Sequence, residues 1–309
     1  MNGILLALAP VFLIIACGYF LKRINFPGAN FWDYADKITY YILFPALLVF
    51  KLANANLEGV NGFDIVSTAI ISIVVLGLLL IFLNKFMLLF KDDAFTSVFQ
   101  GATRFNTYVF LALITALYGD EGLIIAALIM TFTIPFLNFF CISIFALYNE
   151  SKKINIKSFI FTVLKNPLII ACVIGGSLNF FDIKLFYIVN NTLELLSKIA
   201  LPLGLLSVGV GLHIKSITEV KLELFTSLFF KLALLPAVMV FIALKFDISM
   251  LALAVLMIYA SMPTAPSSYI LAKQLGGDTK LMSAIITTQT LVSMITITII
   301  ASMLETYIN

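Results

Sequence analysis

The sequence of 309 residues predicts an all-α polytopic membrane protein with ten transmembrane helices arranged as two inverted five-helix repeats. Three observations carry that prediction. The chain is 62% hydrophobic and only 11% charged, and its apolar runs of about 20 residues match the thickness of a bilayer core rather than the needs of a soluble globule. Residues 2–147 map onto 159–304 at a constant offset of 157. Each copy holds five apolar segments, an odd number, so the second copy must enter the membrane from the opposite face.

The apolar runs place helices at 4–21, 32–52, 65–89, 94–118, 122–147, 159–180, 188–211, 222–244, 249–275 and 281–306. The connections are short, and no Pro-, Gly- or Ser-rich linker separates soluble domains. The organisation expected is a first repeat over 1–147, an inter-repeat loop over 148–158 and a second repeat over 159–309. The repeat is clearest in the residues that disturb helices. Pro10 pairs with Pro167, Gly18 with Gly175, Pro45 with Pro202, and Gly119 with Gly276, while Asn106 falls on Pro263 and Thr107 on Thr264. Four such Pro or Gly identities exceed the roughly half of one that random placement gives.

Charge sets orientation. Lys22, Arg23, Lys85, Lys91, Lys152, Lys153, Lys157, Lys165, Lys215, Lys221, Lys273 and Lys280 fall on one side, against Lys51, Lys184 and Lys245 on the other. The positive-inside rule then puts both termini outside and the 148–158 loop in the cytoplasm of a cell membrane. The first segment has no basic residue before it and Lys22 and Arg23 after it, the reverse of a secretory signal, and reads as a retained helix. A net charge of +3 divided among short loops gives no footprint for nucleic acid.

In helix 9, Pro263 and Pro266 stand three residues apart inside an apolar span. Each proline removes a backbone donor and clashes with the preceding turn, so two half-helices are expected, with Thr264 or Ala265 capping the second and Pro266 near its first turn. The break is about 18 Å deep at 1.5 Å per residue, near the midplane, where exposed backbone must line a cavity. Helix 4 carries the repeat mate, Arg104-Phe105-Asn106-Thr107-Tyr108, without a proline; Asn106 or Thr107 suits the cap of its outer half.

Two half-helix N-termini converging at the midplane favour an anion. Arg104 adds a full charge and a fork matched to carboxylate, although a structural or snorkelling arginine is the competing reading. Asn138 in helix 5, Ser267 in helix 9 and Gln289 in helix 10 are further polar candidates to line the cavity. Thr287, Thr288 and Thr290 more simply satisfy carbonyls of their own helix. Glu194 and Lys198 read as a local pair. Lys231, inside helix 8, is a candidate for coupling or charge balance, or a lysine whose long stem reaches the interface. Cys17, Cys141 and Cys172 lack metal-type or redox-type spacing, His213 is read as interfacial, and no positioned nucleophile or acid–base pair stands at depth. Neither a metal, a cofactor nor an enzymatic activity is expected.

Arg104 to Tyr108, Ile134-Pro135-Phe136-Leu137-Asn138, Lys165-Asn166-Pro167-Leu168, and Met262-Pro263-Thr264-Ala265 through Ala272-Lys273-Gln274 with Gly276-Gly277-Asp278 resemble the auxin efflux carrier family over essentially the whole chain. That family has bacterial malate permease-like members and the plant PIN auxin carriers. The resemblance implies a fold similar to bile-acid sodium symporters, in which helices 4 and 9 cross at their breaks. It also implies a scaffold of helices 1, 2, 6 and 7, a transport domain of helices 3–5 and 8–10, elevator-like movement of a carboxylate, and a homodimer through the scaffold. The substrate-binding residues expected are Arg104, Asn106, Thr107, Tyr108, Asn138, Pro263, Thr264, Ala265, Ser267 and Gln289, with Asn106, Pro263 and Pro266 at the helix breaks. The function expected is secondary transport of a small mono- or dicarboxylate. A sodium-coupled symporter, with sodium on half-helix carbonyls and Asn138 or Gln289, and a non-transporting ligand sensor are the alternatives.

Overall fold

The computed structural model describes residues 2–55, 61–87, 89–148, 164–214 and 222–308, and all regular structure among them is helical. Most of the expected inter-repeat loop, the start of the expected sixth helix, and Lys215 and Lys221 lie outside the described residues. In chain order the helices are α1 (Asn2–Arg23), α2 (Ala29–Ile38), α3 (Phe44–Ala53), α4 (Gly62–Met87), α5 (Asp92–Thr103), α6 (Thr107–Tyr148), α7 (Pro167–Phe180), α8 (Tyr187–Gly211), α9 (Leu222–Phe229), α10 (Leu235–Ala243), α11 (Met250–Ala260), α12 (Ser267–Leu275) and α13 (Thr279–Ile308).

Among the described residues, six stretches are long and apolar enough to cross a membrane: Leu6–Arg23, Gly62–Met87, Asp92–Tyr148, Tyr187–Gly211, Leu222–Ala243 and Thr279–Leu304. The count differs from the ten spans expected for physical reasons visible in the backbone. α7 and α11 are apolar but short. The stretch from Asp92 to Tyr148 is interrupted between α5 and α6, and again at Gly119, whose φ of 58° and ψ of −147° are not helical.

Local sequence explains most boundaries. Asn166 caps α7, its Oδ1 accepting the N–H groups of Leu168 at 3.0 Å and Ile169 at 3.3 Å, with Pro167 in the first position where its missing donor does no harm. Ser249 caps α11 in the same way through Ala252 N–H. α2 continues into α3 through a π turn, Thr39–Leu43, and α9 into α10 through another, Phe230–Leu234. A proline follows each, Pro45 and Pro236, in the first turn of the next helix. A proline cannot donate to the carbonyl four residues back and clashes with it; the wider π turn takes up that misfit without ending the helix.

The chain forms two compact units. The first comprises Met1–Val60, Tyr108–Thr131 and Lys157–Gly211. Within it α1 packs along α8, and α3 packs on α7 and α8. A Cβ on Gly18 would collide with the Leu206 carbonyl, and one on Gly209 with the Ile15 carbonyl, so α1 and α8 touch backbone to backbone. Such small-residue contacts replace the hydrophobic driving force that helices lack in lipid. Lys51 and Asp120 form an ion pair at 2.6 Å, and Glu194 and Lys198 one at 2.7 Å.

The second unit comprises Asn61–Thr107, Phe132–Ile156 and Leu212–Asn309. α5 is its centre: every residue from Ala94 to Thr103 is buried, and α9, α12 and α13 all pack on it. α4 packs on α10. The turn between α12 and α13 is tied to the start of α5, since Asp278 N–H donates to the Asp93 carbonyl at 3.1 Å and Ser97 Oγ donates to the Asp278 carbonyl at 3.0 Å. Asp278 also caps α13 through Leu281 N–H.

Candidate functional site

The second unit contains two stretches of non-helical backbone that face each other, residues 104–106 between α5 and α6 and residues 261–266 between α11 and α12. α5 ends when Arg104 turns extended, with φ −74° and ψ 162°, after its own N–H has bonded the Gln100 carbonyl at 2.9 Å. Asn106 N–H then donates to the Pro263 carbonyl at 2.7 Å, joining the two breaks directly. The first break therefore needs no proline: its backbone donor is taken by the other broken helix instead of by its own preceding turn. Beside this bond, Phe105 packs edge-on against Tyr259, ring centroids 4.6 Å apart.

Gln289 of α13 holds both breaks. Its Oε1 accepts the buried N–H of Thr264 at 2.8 Å, while its Nε2 donates to the Gly101 carbonyl at 2.9 Å and lies 3.2 and 3.1 Å from the Ser227 carbonyl and hydroxyl. A backbone N–H can only donate, so the Thr264 N–H faces the carboxamide oxygen and the carboxamide orientation follows from the network. Gly101 has no room for a side chain: a Cβ there would run into Ser227 Oγ and lie 2.7 Å from Ile285 Cγ2. Thr264 Oγ1 reaches the Gln100 carbonyl at 3.4 Å and Ser268 Oγ at 3.1 Å.

Arg104 points its guanidinium to one side of the joined breaks. One NH group donates to Asn138 Oδ1 at 3.0 Å and the other to Ser267 Oγ at 3.3 Å. No ion pair joins it to a carboxylate among the described residues. Arg104 and Asn138 are half-buried, Ser267 is exposed, and Ser267 begins α12, so the N–H groups of that helix start beside the cation. The arrangement offers a charged fork, a neutral amide, a hydroxyl and a helix N-terminus on one open face, a set suited to carboxylate oxygens.

The residues expected from the sequence are therefore divided. Arg104, Asn138 and Ser267 come together, and Asn106, Pro263 and Thr264 form the joined backbone behind them, with Asn106 only 2% exposed. Thr107 opens α6, half-buried, and Ala265 is half-buried ahead of α12. Two expectations are corrected, those for Gln289 and Thr264. Gln289 does not line an open cavity; it is fully buried with both ends of its carboxamide bonded to protein. Thr264 is not the cap of α12, since Pro266 holds the N-cap position without a side-chain cap and Thr264 is turned towards Gln289 and Gln100. Tyr108 belongs to the first unit, stacked on Phe44 with centroids 4.7 Å apart. Thr287 and Thr290 bond carbonyls in their own helix, and Thr287 Oγ1 also accepts the His213 N–H.

Ser227, Gly101 and Gln100 take part in this network and were not singled out in the sequence. Gly101 lies three residues before Arg104, and a glycine beside an intramembrane arginine is a signal of close approach; Ser227 in an apolar run gives none. No group of three or more metal-ligating side chains occurs among the described residues. Lys231 is fully buried, its Nζ 5.7 Å from the centroid of the Tyr259 ring.

No curated protein matches the chain. The family model described as membrane transport protein matches residues 4–301, nearly the whole length over which the helices and both breaks are laid out. The chain belongs to that family, the auxin efflux carriers, and is a multi-pass membrane transporter.

Proposed function

We propose that this transporter is a secondary carrier of a small organic anion, a mono- or dicarboxylate such as malate or an auxin-like acid, and that it works in the cytoplasmic membrane by elevator-type alternating access. The observation that supports this most is Arg104. A guanidinium inside a membrane protein is costly unless its charge is used, and the hydrogen bonds of this one go to neutral groups, Asn138 Oδ1, Ser267 Oγ and the Cys141 thiol. Five N–H donors in a planar fork are more than these neutral acceptors fill, and the remainder suit the two oxygens of a carboxylate. The N-terminus of α12 adds partial positive charge on the same side.

We read the helices as ten spans in two inverted repeats, with helices 1, 2, 6 and 7 as scaffold and 3–5 with 8–10 as the moving domain. The division of the chain into two compact units supports this for helices 1–3 and 6–10, whereas residues 108–131, parts of helices 4 and 5, group with the scaffold helices. Both breaks, 157 residues apart, fall in the unit that would move. Both termini are placed outside by the lysine and arginine asymmetry, and a homodimer through the scaffold follows from the family resemblance. Sodium coupling at the joined breaks is disfavoured by Gln289, whose Nε2 already lies within 2.9 to 3.2 Å of the three oxygens that a cation there would use.

The test is counterflow of labelled malate and indole-3-acetate by the purified chain in liposomes. Arg104→Ala is expected to cut counterflow by ten- to a hundredfold, the equivalent of about 1.5 to 3 kcal/mol for a charged hydrogen bond, with partial recovery in Arg104→Lys. Pro263→Ala and Asn106→Ala are expected to reduce it as well. A wild-type rate in folded Arg104→Ala rejects the site. Replacing sodium by potassium is expected to leave the rate unchanged, and saturable binding without counterflow in the wild type makes the chain a sensor.

A further inference from the structure

Lys231 lies on the π turn that joins α9 to α10, a local widening that recurs at functional positions in helices. It is fully buried, and its Nζ makes no hydrogen bond with any group among the described residues. It caps no helix and closes no ion pair; what its amine faces is the ring of Tyr259, 5.7 Å away. Its stem fills space that a methionine would fill as well, so packing alone gives no reason for an amine there. An uncompensated charge at such a position costs several kcal/mol, and ionisable groups kept at that cost inside a membrane protein mark proton or ion pathways.

Its neighbours connect it to the anion site. Tyr259 packs edge-on against Phe105, the residue after Arg104. Ser227, one helical turn before Lys231, is bonded to Gln289, which holds both breaks. The π turn itself packs against α5 and α13. The other carboxylates and lysines on the packed elements lie at helix ends: Glu223 in the first turn of α9, Asp92 and Asp93 in the first turn of α5, Asp64 and Lys85 in the first and last turns of α4, and Lys280 and Glu305 in the first and last turns of α13. Tyr259 of α11 is thus the titratable side chain that faces the amine.

We propose that the Lys231 amine takes up a proton together with the anion held at Arg104, making the chain a proton–anion symporter. The anion supplies a negative charge that no ion pair among the described residues brings to Lys231, so each ligand favours the other's binding. The proton comes from water on the entry side, binds the lone pair of the amine, and returns to water on the exit side with the amine regenerated. For a monoanion the two cargo charges cancel, and the charge of Arg104 moves equally with the loaded and the empty site. This inference rests on the anion-carrier reading.

The experiment uses the full chain in liposomes with labelled malate and indole-3-acetate, the membrane potential held at zero by potassium and valinomycin, and protein-free liposomes subtracted. With the outside one pH unit more acidic, the wild type is expected to concentrate the probe inside about tenfold, the ratio set by one proton per anion. Lys231→Met and Lys231→Arg are expected to keep exchange of labelled for unlabelled probe but to reach a ratio near one. A Lys231→Met protein that accumulates like the wild type, or a wild type that exchanges probe yet ignores the pH gradient, overturns the proposal. Absence of any counterflow in the wild type rejects the carrier reading instead. Thermal unfolding then judges the proton site without a ligand: the difference in midpoint between wild type and Lys231→Met must change between about pH 5 and pH 9, and a constant difference overturns it. If Lys231→Met does not unfold cooperatively, Lys231→Arg supplies the same comparison.

Discussion

Replacing Gln289 with leucine removes the side chain that bonds both helix breaks at once, while keeping nearly the same volume. Two groups lose their partner. The Thr264 N–H is fully buried and has the Gln289 oxygen as its acceptor at 2.8 Å. The Gly101 carbonyl is one of the last four of α5, which have no partner inside their own helix and depend on side chains such as this one. Leaving a buried polar group unsatisfied costs about 1 to 3 kcal/mol, so the pair amounts to roughly 2 to 6 kcal/mol. That is a large share of a typical folding free energy and corresponds to a fall in midpoint on the order of 10 °C. Cys141 is a built-in reporter: it is buried beside Thr103, so with Cys17 and Cys172 replaced by alanine a thiol-reactive dye detects opening of this unit on heating. Gln289→Glu separates the two halves of the effect, since it retains an acceptor for Thr264 but sets an oxygen against the Gly101 and Ser227 carbonyls, and it is expected to remain destabilised at neutral pH. A Gln289→Leu protein whose midpoint and malate counterflow both match the wild type refutes the claim that this residue holds the breaks.

Gly101→Ala is expected to destabilise by about 1 to 3 kcal/mol through overpacking, because its Cβ meets Ser227 Oγ and Ile285 Cγ2. Adding Ser227→Ala is expected to return part of that loss in the same dye assay, and strict additivity counts against the contact. Gly209→Val forces α1 from α8 at the Ile15 carbonyl and is expected to lower the yield of folded protein on size exclusion; an unchanged yield and midpoint contradict the backbone contact. Lys51→Met removes an ion pair whose aspartate is largely exposed, and a stability change within about 1 kcal/mol is expected.

What the sequence determined by itself was carried by local chemistry and by bulk composition. Apolar length requires helices in lipid because every backbone group must be bonded within its own segment. Pro263 and Pro266 require a break wherever they stand in such a segment. An arginine in an apolar run announces a functional position because its cost there is high. Asn166-Pro167 is legible as a helix start for the same local reason. Residue pattern was also sufficient for the family.

What only the tertiary structure decided concerns partners far apart in the chain. Arg104 meets Asn138 and Ser267 across 34 and 163 residues, and Gln289 meets Gly101 across 188. Nothing local distinguishes a glutamine that lines a cavity from one that pins two backbones, and Gln289 was misread for that reason. Nor does local sequence tell that Tyr108, two residues after the first break, stacks on Phe44 in the first unit. Lys231 shows both sides. Its place in an apolar run was visible in the sequence, whereas its burial and its position over Tyr259 depend on how α9, α10 and α11 turn their faces. A helix's period sets which residues share a face, but only packing against other helices sets where that face points.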